Sequence, residues 1–194
     1  MLGTHISHVN INFLPRYVLL VRAVDAAATP RTGTATVTVI VDDRNDNQPD
    51  ILNEPITHSI VENAAPFTSG ITIKANDSDI GLNAKISYRI IGGGNGQFKI
   101  DPDSGLLTHN ATLDREAIPI YHVVVEAYDH GTDPSPLSAS TTVTITIGDV
   151  NDNSPVFQAP FAFSVSENVP TGTSVGKMNV TDADTGVNAA VQFS

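Results

Sequence analysis

A short run of acidic and amide residues occurs twice in this chain of 194 residues. The first string covers residues 43–47 (DRNDN), and the second string covers residues 149–153 (DVNDN). Asp46 and Asp152 are 106 residues apart, which is close to the length of one small domain. Calcium in proteins takes roughly six to eight oxygen ligands from carboxylates, amides and backbone carbonyls. The strings therefore predict calcium sites at joints between repeated modules.

Two further motifs repeat with nearly the same spacing. A Glu-Asn pair occupies residues 62–63 and returns 105 residues later at 167–168. An Asp-x-Asp-x-Gly-x-Asn motif covers residues 77–83 (the first loop) and returns at residues 182–188 (the second loop). Three motifs that share one period to within a residue identify a tandem repeat.

Threonines alternate with apolar residues directly before each string. Residues 34–41 (TATVTVIV) and 141–147 (TTVTITI) are typical of strands with one buried face. Residues 17–24 and 121–128 predict their upstream partners. Short apolar segments bounded by turn residues complete one repeat, whose predicted strands are 56–61, 71–75, 86–91, 97–100, 120–128 and 139–147. The pattern predicts an all-β fold of tandem antiparallel β-sandwich repeats.

The period divides the chain into three segments. We expect residues 49–154 to form a complete repeat, here called the central segment. Residues 1–48 supply the last two strands of a preceding repeat, and residues 155–194 supply the opening strands of a following one. Because a lone hairpin is marginally stable in water, we expect neither end segment to fold securely alone.

The composition narrows the classes of function. A net charge of -11 argues against nucleic-acid binding, which requires clustered Lys and Arg, and it suits a protein that collects cations. Cysteine is absent, so metal is one of the few remaining ways to staple small modules.

No stretch approaches the roughly 18 apolar residues of a membrane span. The N-terminus also lacks the features of a signal peptide. An extracellular protein with neither feature would be a fragment of a longer one.

Seven carboxylates are predicted to gather around the second string. They belong to Glu62, Asp114, Glu116, Asp149, Asp152, Asp182 and Asp184. Because like charges in a small volume repel strongly, roughly three divalent ions would nearly neutralise them. Any one of these loops alone is typical of an ordinary turn, since Asp, Asn and Gly are common turn residues.

Three other patterns do not support a site. An EF-hand loop starting at Asp77 needs a Glu at its twelfth position, where Tyr88 stands inside a predicted strand. The glycine-rich segment 92–96 joins two predicted strands and lacks the helix and Lys-Ser/Thr of a phosphate-binding loop. The six histidines are scattered without the spacing of zinc ligands.

Taken together, these motifs resemble the extracellular repeats of the cadherin superfamily, of the protocadherin or Fat-like kind. The matching elements are Glu62-Asn63, the first loop, Leu113-Asp114-Arg115-Glu116, Ala127-Tyr128-Asp129, the FxI…GxL stretch at 98–107, and each string followed by Pro49 or Pro155. The resemblance covers nearly the whole chain. It implies Greek-key sandwiches of immunoglobulin-like topology with three Ca²⁺ ions at each joint.

The resemblance also implies the ligands at the joint around the second string (the second joint). The first ion would be held by Glu62, Asp114, Glu116 and Asp152. The second would be held by Glu62, Glu116, Asp149, the Val150 carbonyl, Asp152 and Asp184. The third would be held by Asn151, the Asn153 carbonyl, Asp182, Asp184 and the Asn188 carbonyl.

The joint around the first string (the first joint) departs from the family pattern. Its third ion would be held by Asn45, Asn47, Asp77, Asp79, Asn83 and Asp129. Its second ion would keep Asp43, the Arg44 carbonyl, Asp46 and Asp79. Where the family has Asp-Arg-Glu, however, this chain has Asn10-Ile11-Asn12, and the upstream Glu is absent. We therefore expect the first ion to be weakened or missing, and the N-terminus through about residue 15 to be divergent or wrongly joined.

The resemblance implies calcium-dependent cell–cell adhesion without enzymatic activity, in which ions at the joints stiffen an extracellular rod. The partners would be other cadherin-type ectodomains, homophilic or heterophilic, and a membrane-anchored parent protein would place the chain at the cell surface. The alternatives are a calcium-stabilised structural module, a glycan-binding or hydrolase accessory domain, and a bacterial-type adhesin. Sequons begin at Asn76, Asn110 and Asn179, of which Asn110 is the best glycosylation candidate because a glycan at Asn76 would crowd the metal.

Overall fold

The structure, a computed structural model, describes residues 16–52, 54–133 and 135–193. Apart from one 3-10 turn at Gly94–Gly96, the regular elements of these residues are β-strands, which confirms the all-β prediction. The strands are β1 (Arg16–Val24), β2 (Thr32–Ile40), β3 (Asp50–Ile51), β4 (Ile56–Val61), β5 (Gly70–Thr72), β6 (Ala75–Asn76), β7 (Ser87–Gly93), β8 (Phe98–Ile100), β9 (Leu106–His109), β10 (Ile120–Tyr128), β11 (Ser138–Gly148), β12 (Val156–Gln158) and β13 (Asn179–Thr181).

Two sheets of the central segment enclose one hydrophobic core. The larger has the order β4-β11-β10-β7, and the smaller has the order β5-β9-β8. Alternate residues of β10 and β11 point inward, so Val123, Val125, Val143 and Ile145 are all at most 1% exposed. Leu107 of the smaller sheet packs into the same core. This alternation is the pattern expected of strands that bury one face.

The first and last long strands of the central segment lie side by side and parallel. β4 pairs with β11 from Ile56 opposite Val143 to Val61 opposite Gly148. Both strands therefore end at the same edge of the sheet, and the residues that follow them, Glu62 and Asp149, emerge together. The antiparallel prediction was wrong for this pair. The other strand pairs of the described residues are antiparallel.

The segment predicted as one strand at 71–75 forms two short strands, β5 and β6, in different sheets. Between them Ile73 is fully buried, and its backbone bonds to Gly105, which precedes β9, a strand that the pattern did not predict. Gly105 has φ +70°, and a Cβ there would lie 2.4 Å from the Ile73 carbonyl oxygen. Only glycine fits such a close backbone approach in this conformation.

The two end segments carry little of their own core. β1 and β2 form a hairpin whose apolar side chains are exposed to solvent, with Leu20 73% exposed. β12 and β13 form a three-residue pair, and Phe161 beyond β12 is 68% exposed. The predicted divergent stretch at residues 1–15, with Asn10-Ile11-Asn12, lies outside the described residues. No helix formed by the described residues has the length and apolar character to span a membrane.

Candidate metal centres

The first joint is built by attaching the first string to the first loop. Asp43 Oδ2 accepts hydrogen bonds from the backbone N–H of Ile80 and the side-chain amide of Asn83, both at 3.0 Å. Charged acceptors make stronger hydrogen bonds than neutral ones, so these contacts fix the start of the string.

Asn47 makes the second attachment of the first string. Its backbone N–H donates to Asp79 Oδ2 at 3.1 Å, and its side-chain amide donates to Asp79 Oδ1 at 2.5 Å and to Asp46 Oδ1 at 2.9 Å. The N–H of Asp79 in turn donates to Asp77 Oδ1 at 2.9 Å. Two predicted carboxylate ligands, Asp46 and Asp79, thus share one amide donor, and Asp77 is attached through the backbone of Asp79.

Asn45 is the buried anchor of the first string. It is 1% exposed, and its amide donates to Asp129 Oδ1 at 3.2 Å and to the Ser135 carbonyl at 2.7 Å. The fully buried Asp129 also accepts N–H groups of Gly131 and Leu137. A Cβ on Gly131 would lie 2.2 Å from the Asn45 amide nitrogen. Gly131 is therefore required for this close approach.

The second joint repeats the bonds that begin the first string. Asp149 Oδ2 accepts the backbone N–H of Thr185 at 3.1 Å and the side-chain amide of Asn188 at 2.9 Å. These are the partners that Ile80 and Asn83 provide to Asp43, shifted by one repeat.

The end of the second string is also attached in the same way. Asn153 donates to Asp184 Oδ1 from its backbone at 3.2 Å and from its side chain at 2.8 Å, and it donates to Asp152 Oδ1 at 2.8 Å. The N–H of Asp184 donates to Asp182 Oδ1 at 3.0 Å. Six corresponding hydrogen bonds thus occur at both joints.

Glu62 links the second string to the central segment. Its side chain follows β4 and is 2% exposed. Oε2 accepts the N–H of Arg115 at 2.8 Å, and Oε1 accepts the N–H of Val150 at 2.8 Å. One carboxylate therefore fixes both the 113–116 motif and the string.

Two groups of three acids meet at the second joint. Within each group, carboxylate oxygens lie within 4.8 Å of one another; the groups are Glu62, Glu116 and Asp149, and Glu116, Asp152 and Asp184. Across residues 16–52, 54–133 and 135–193, no comparable three-acid group occurs at the first joint.

The guanidinium of Arg115 lies within the first of these groups. Its Nε is 2.5 Å from Asp149 Oδ1 and 3.9 Å from Glu62 Oε1, and Nη2 contacts Glu116 Oε1. Nη2 also donates to the Ala183 carbonyl in the second loop at 2.8 Å. Sequence reasoning assigned Arg115 only to a motif and did not predict this position.

Asn63 and Gly131 were also missed as contributors. Asn63 donates to Asp152 Oδ2 at 2.5 Å from a left-handed backbone with φ 59°, and Asn168 one repeat later has φ 65°. Asn tolerates this conformation better than most residues, which explains the repeated Glu-Asn pair. The repetition was a usable signal for Asn63, whereas the role of Gly131 depends on a long-range contact.

Some predicted ligands have a smaller share in these contacts. Asp114 is exposed, accepts the N–H of Ala117 at 3.0 Å and belongs to neither three-acid group. Asn151 is exposed, although its counterpart Asn45 is buried. Arg44 is exposed as well, and only its carbonyl was predicted to act.

Buried oxygens without hydrogen-bond partners show whether the residues of the joints are suited to bind a cation. Four predicted ligands each have a buried side-chain oxygen with no hydrogen-bond partner; they are Asn45 Oδ1, Asp77 Oδ2, Asp149 Oδ1 and Asp182 Oδ2. Of these, Asp149 Oδ1 has the ion pair with Arg115, and within the described part of the chain the other three have no such charge partner. Leaving such an atom unpaired is costly, particularly on a carboxylate. An all-oxygen donor set of carboxylates and amides suits a hard cation such as calcium. The residues therefore fit the ion that the motifs imply.

Two acids at the joints, Asp77 and Glu116, have a pKa that is shifted toward the neutral form. Burial raises the pKa of Asp77, and the negative charges of Asp79 and Asp129 add to the rise. Burial likewise raises the pKa of Glu116, and nearby Glu62 raises it further.

Asp149 is shifted the other way. Burial alone would raise its pKa, but hydrogen bonds from Asn188 and Thr185, together with the adjacent guanidinium of Arg115, lower it below the usual value. Asp149 is thus held charged by its donors, as expected when hydrogen bonds favour the ionised form.

Comparison with known proteins assigns the family. The cadherin domain family matches residues 56–148. Mouse protocadherin Fat 4 is 45% identical over 179 residues, covering 92% of this chain and 4% of the relative. Human cadherin EGF LAG seven-pass G-type receptor 1 is 39% identical over 179 residues, covering 92% of this chain and 6% of the relative. This chain thus spans only a small part of these relatives.

Solved structures show the same fold. The crystal structure of mouse cadherin-23 EC22-24 superposes with a TM-score of 0.84 at 35% identity, covering 91% of this chain and 56% of that one. Extracellular cadherin domains 1-4 of protocadherin gamma B7 give a TM-score of 0.77 at 35% identity, with 91% and 43% covered. The chain belongs to the cadherin superfamily.

Proposed function

We propose that this chain is an internal piece of an extracellular adhesion rod, stiffened by calcium at the joints between its repeats. Residues 49–154 would be one complete cadherin repeat between parts of two others, 1–48 and 155–194. The observation that carries the proposal is the pair of three-acid groups at the second joint, together with buried carboxylate oxygens that lack hydrogen-bond partners.

The physical basis is the charge of the joint. Glu62, Glu116, Asp149, Asp152 and Asp184 lie close together, so their negative charges repel one another and oppose a closed joint. Bound calcium would supply the opposite charge. Glu62 belongs to the central segment and Asp184 to the following repeat, so a shared ion would favour the aligned arrangement of both. The ligand sets inferred from the sequence remain the proposed sets at each joint.

Calcium titration of the full chain tests this function. Extracellular calcium modules bind with a Kd of about 10⁻⁴–10⁻³ M. We expect calorimetry to detect several ions per chain, and a hundredfold excess over Kd to stabilise the fold by about 2.7 kcal/mol for each independent site. Absence of a thermal shift at a hundredfold excess of calcium over this Kd would contradict the proposal.

Asp152→Ala tests the second string directly. This variant removes a member of one three-acid group, so we expect it to lose most of the calcium-dependent thermal shift. Asp103→Ala, in an exposed turn of the central segment, is the matched control and keeps the full shift. Equal shifts in both variants would mean that the second string is only a turn.

The broader proposal is that this chain takes part in adhesion by binding other cadherin-type ectodomains. A membrane-anchored parent protein would place it at the cell surface, and it would have no catalytic role. The relatives named above carry cadherin or receptor names, which supports it. Beads coated with the chain test it: calcium-dependent aggregation is expected for homophilic contact, and mixed beads carrying a related ectodomain test heterophilic contact. Calcium binding without aggregation in either case would assign this piece a structural role in the rod.

A further inference from the structure

Arg115 places a positive charge inside the acidic cluster of the second joint. Its side chain is only 13% exposed, and its guanidinium contacts the same three carboxylates that form the group of Glu62, Glu116 and Asp149. A metal cation that bound these carboxylate oxygens would compete with the guanidinium, because both cations need the same negative charges.

The contact between Arg115 and Asp149 is close but poorly aligned. Nε and Oδ1 are 2.5 Å apart, yet neither atom takes part in a hydrogen bond of acceptable geometry. The attraction is therefore mainly that of two charges. A divalent ion satisfies such an oxygen without a directional requirement, so this contact is replaceable.

Arg115 also connects two repeats. Its backbone belongs to the 113–116 motif of the central segment, and its Nη2 donates to the Ala183 carbonyl in the second loop. The same side chain thus reduces repulsion within the cluster and bonds directly across the joint. At the first joint, the aligned position of the sequence holds Ile11, which has no charge.

We propose that Arg115 is a built-in cation that holds the second joint together without calcium and leaves the carboxylate cluster when calcium binds. This inference rests on the proposed calcium function for its second half only. In the absence of calcium, the joint would stay partly aligned by the guanidinium instead of opening freely. In its presence, the carboxylates would exchange one bound cation for another, which weakens the apparent calcium affinity.

Interrepeat distances in EDTA test the holding role. The chain lacks cysteine, so spin labels at Lys99→Cys and Ser174→Cys report one distance across the second joint. We expect Arg115→Met, which keeps the length but removes the charge, to broaden the distance distribution in EDTA. Arg89→Met, which breaks the ion pair with Glu126 on the sheet face, is the matched control and leaves the distribution unchanged. Equal widths for Arg115→Met and the parent would overturn the holding role.

Calcium calorimetry on the same proteins tests the competition. Removing a competing charge should tighten calcium binding at the second joint by about tenfold in Arg115→Met. Arg115→Lys keeps the charge without the planar fork, so it should bind calcium like the parent while its joint broadens in EDTA. Unchanged or weaker binding in Arg115→Met would overturn the competition. If the parent binds no calcium, the proposed function fails, and the distances in EDTA still decide the holding role.

Discussion

The two joints are alike downstream of their strings and different upstream. Both attach the string to an Asp-x-Asp-x-Gly-x-Asn loop with the same four hydrogen bonds, and one further bond within the string and one within the loop also recur. The second joint adds Glu62 and Glu116 from the preceding repeat, whereas the aligned positions before the first string carry Asn10-Ile11-Asn12. The downstream half therefore depends on one local loop, which is present in both copies in this chain. The upstream half requires distant segments and is the part that varies.

Of the substitutions that test the difference between the two joints, loss of Glu62 should cause the largest change in stability. Its buried carboxylate accepts two backbone N–H groups, and hydrogen bonds to charged groups contribute about 1.5–3 kcal/mol each. We expect Glu62→Ala to lower the free energy of unfolding by about 3 kcal/mol in EDTA, measured by chemical denaturation. It should also remove calcium binding that depends on the upstream half of the second joint.

Glu167→Ala is the matched control for that change. Glu167 occupies the same position one repeat later and is exposed, so its loss should cost less than about 0.5 kcal/mol. Similar losses in the two variants would mean that the upstream contacts of Glu62 do not distinguish the second joint.

Gly131→Ala should disturb the first joint alone. The new methyl group would overlap the Asn45 amide, and overpacking of this kind costs about 1–3 kcal/mol. We expect weaker calcium binding at the first joint, detected by calorimetry, with the second joint unaffected. Gly33→Ala, where a Cβ meets no atom within 4 Å, is the control. Loss of binding at the second joint would contradict the independence of the two sites.

A smaller effect is expected in the turn after each Glu-Asn pair. Phe67 in the central segment and Gly172 in the following repeat occupy equivalent positions with φ 63° and 90°, and Thr68 and Thr173 close both turns in the same way. A left-handed backbone costs an ordinary residue about 1–2 kcal/mol. We therefore expect Phe67→Gly to be more stable than Phe67→Ala by about 1 kcal/mol in thermal unfolding.

The same pair of substitutions in a strand provides the reference for Phe67. At Thr57 in β4, glycine should be less stable than alanine by about 0.5–1 kcal/mol, because glycine loses more chain entropy on folding. The same order of stability at both positions would show that the turn at Phe67 is not strained.

The parts of the molecule that the sequence predicted are those set by local pattern. The strand predicted at 120–128 matches β10, and 139–147 matches β11 to within a residue at each end, because apolar residues at every second position mark one buried face. Each string is also followed by its loop at the spacing found in cadherin repeats, so contact between string and loop could be expected. The parallel pairing of β4 with β11 could not, because it depends on contacts between segments more than 80 residues apart.

The position of Arg115 inside the acid cluster was equally invisible. A motif reports which residues are near one another in sequence, but the meeting of Arg115 with Asp149 depends on how the string leaves β11. Asn45 against Gly131 is a similar case, because the need for glycine comes from a side chain that is distant in sequence. Short motifs predicted the kinds of ligand, and the tertiary packing decided which groups face them.

The parallel pair of β4 and β11 has a mechanical consequence. Tension along the chain enters the central segment near β3 and leaves after β11, so it pulls the start of β4 and the end of β11 in opposite directions. Six residue pairs, from Ile56 with Val143 to Val61 with Gly148, are then loaded in shear and resist together. Such a load must break the hydrogen bonds between the two strands together instead of one pair after another. The strand order itself therefore makes the central segment resistant to stretching.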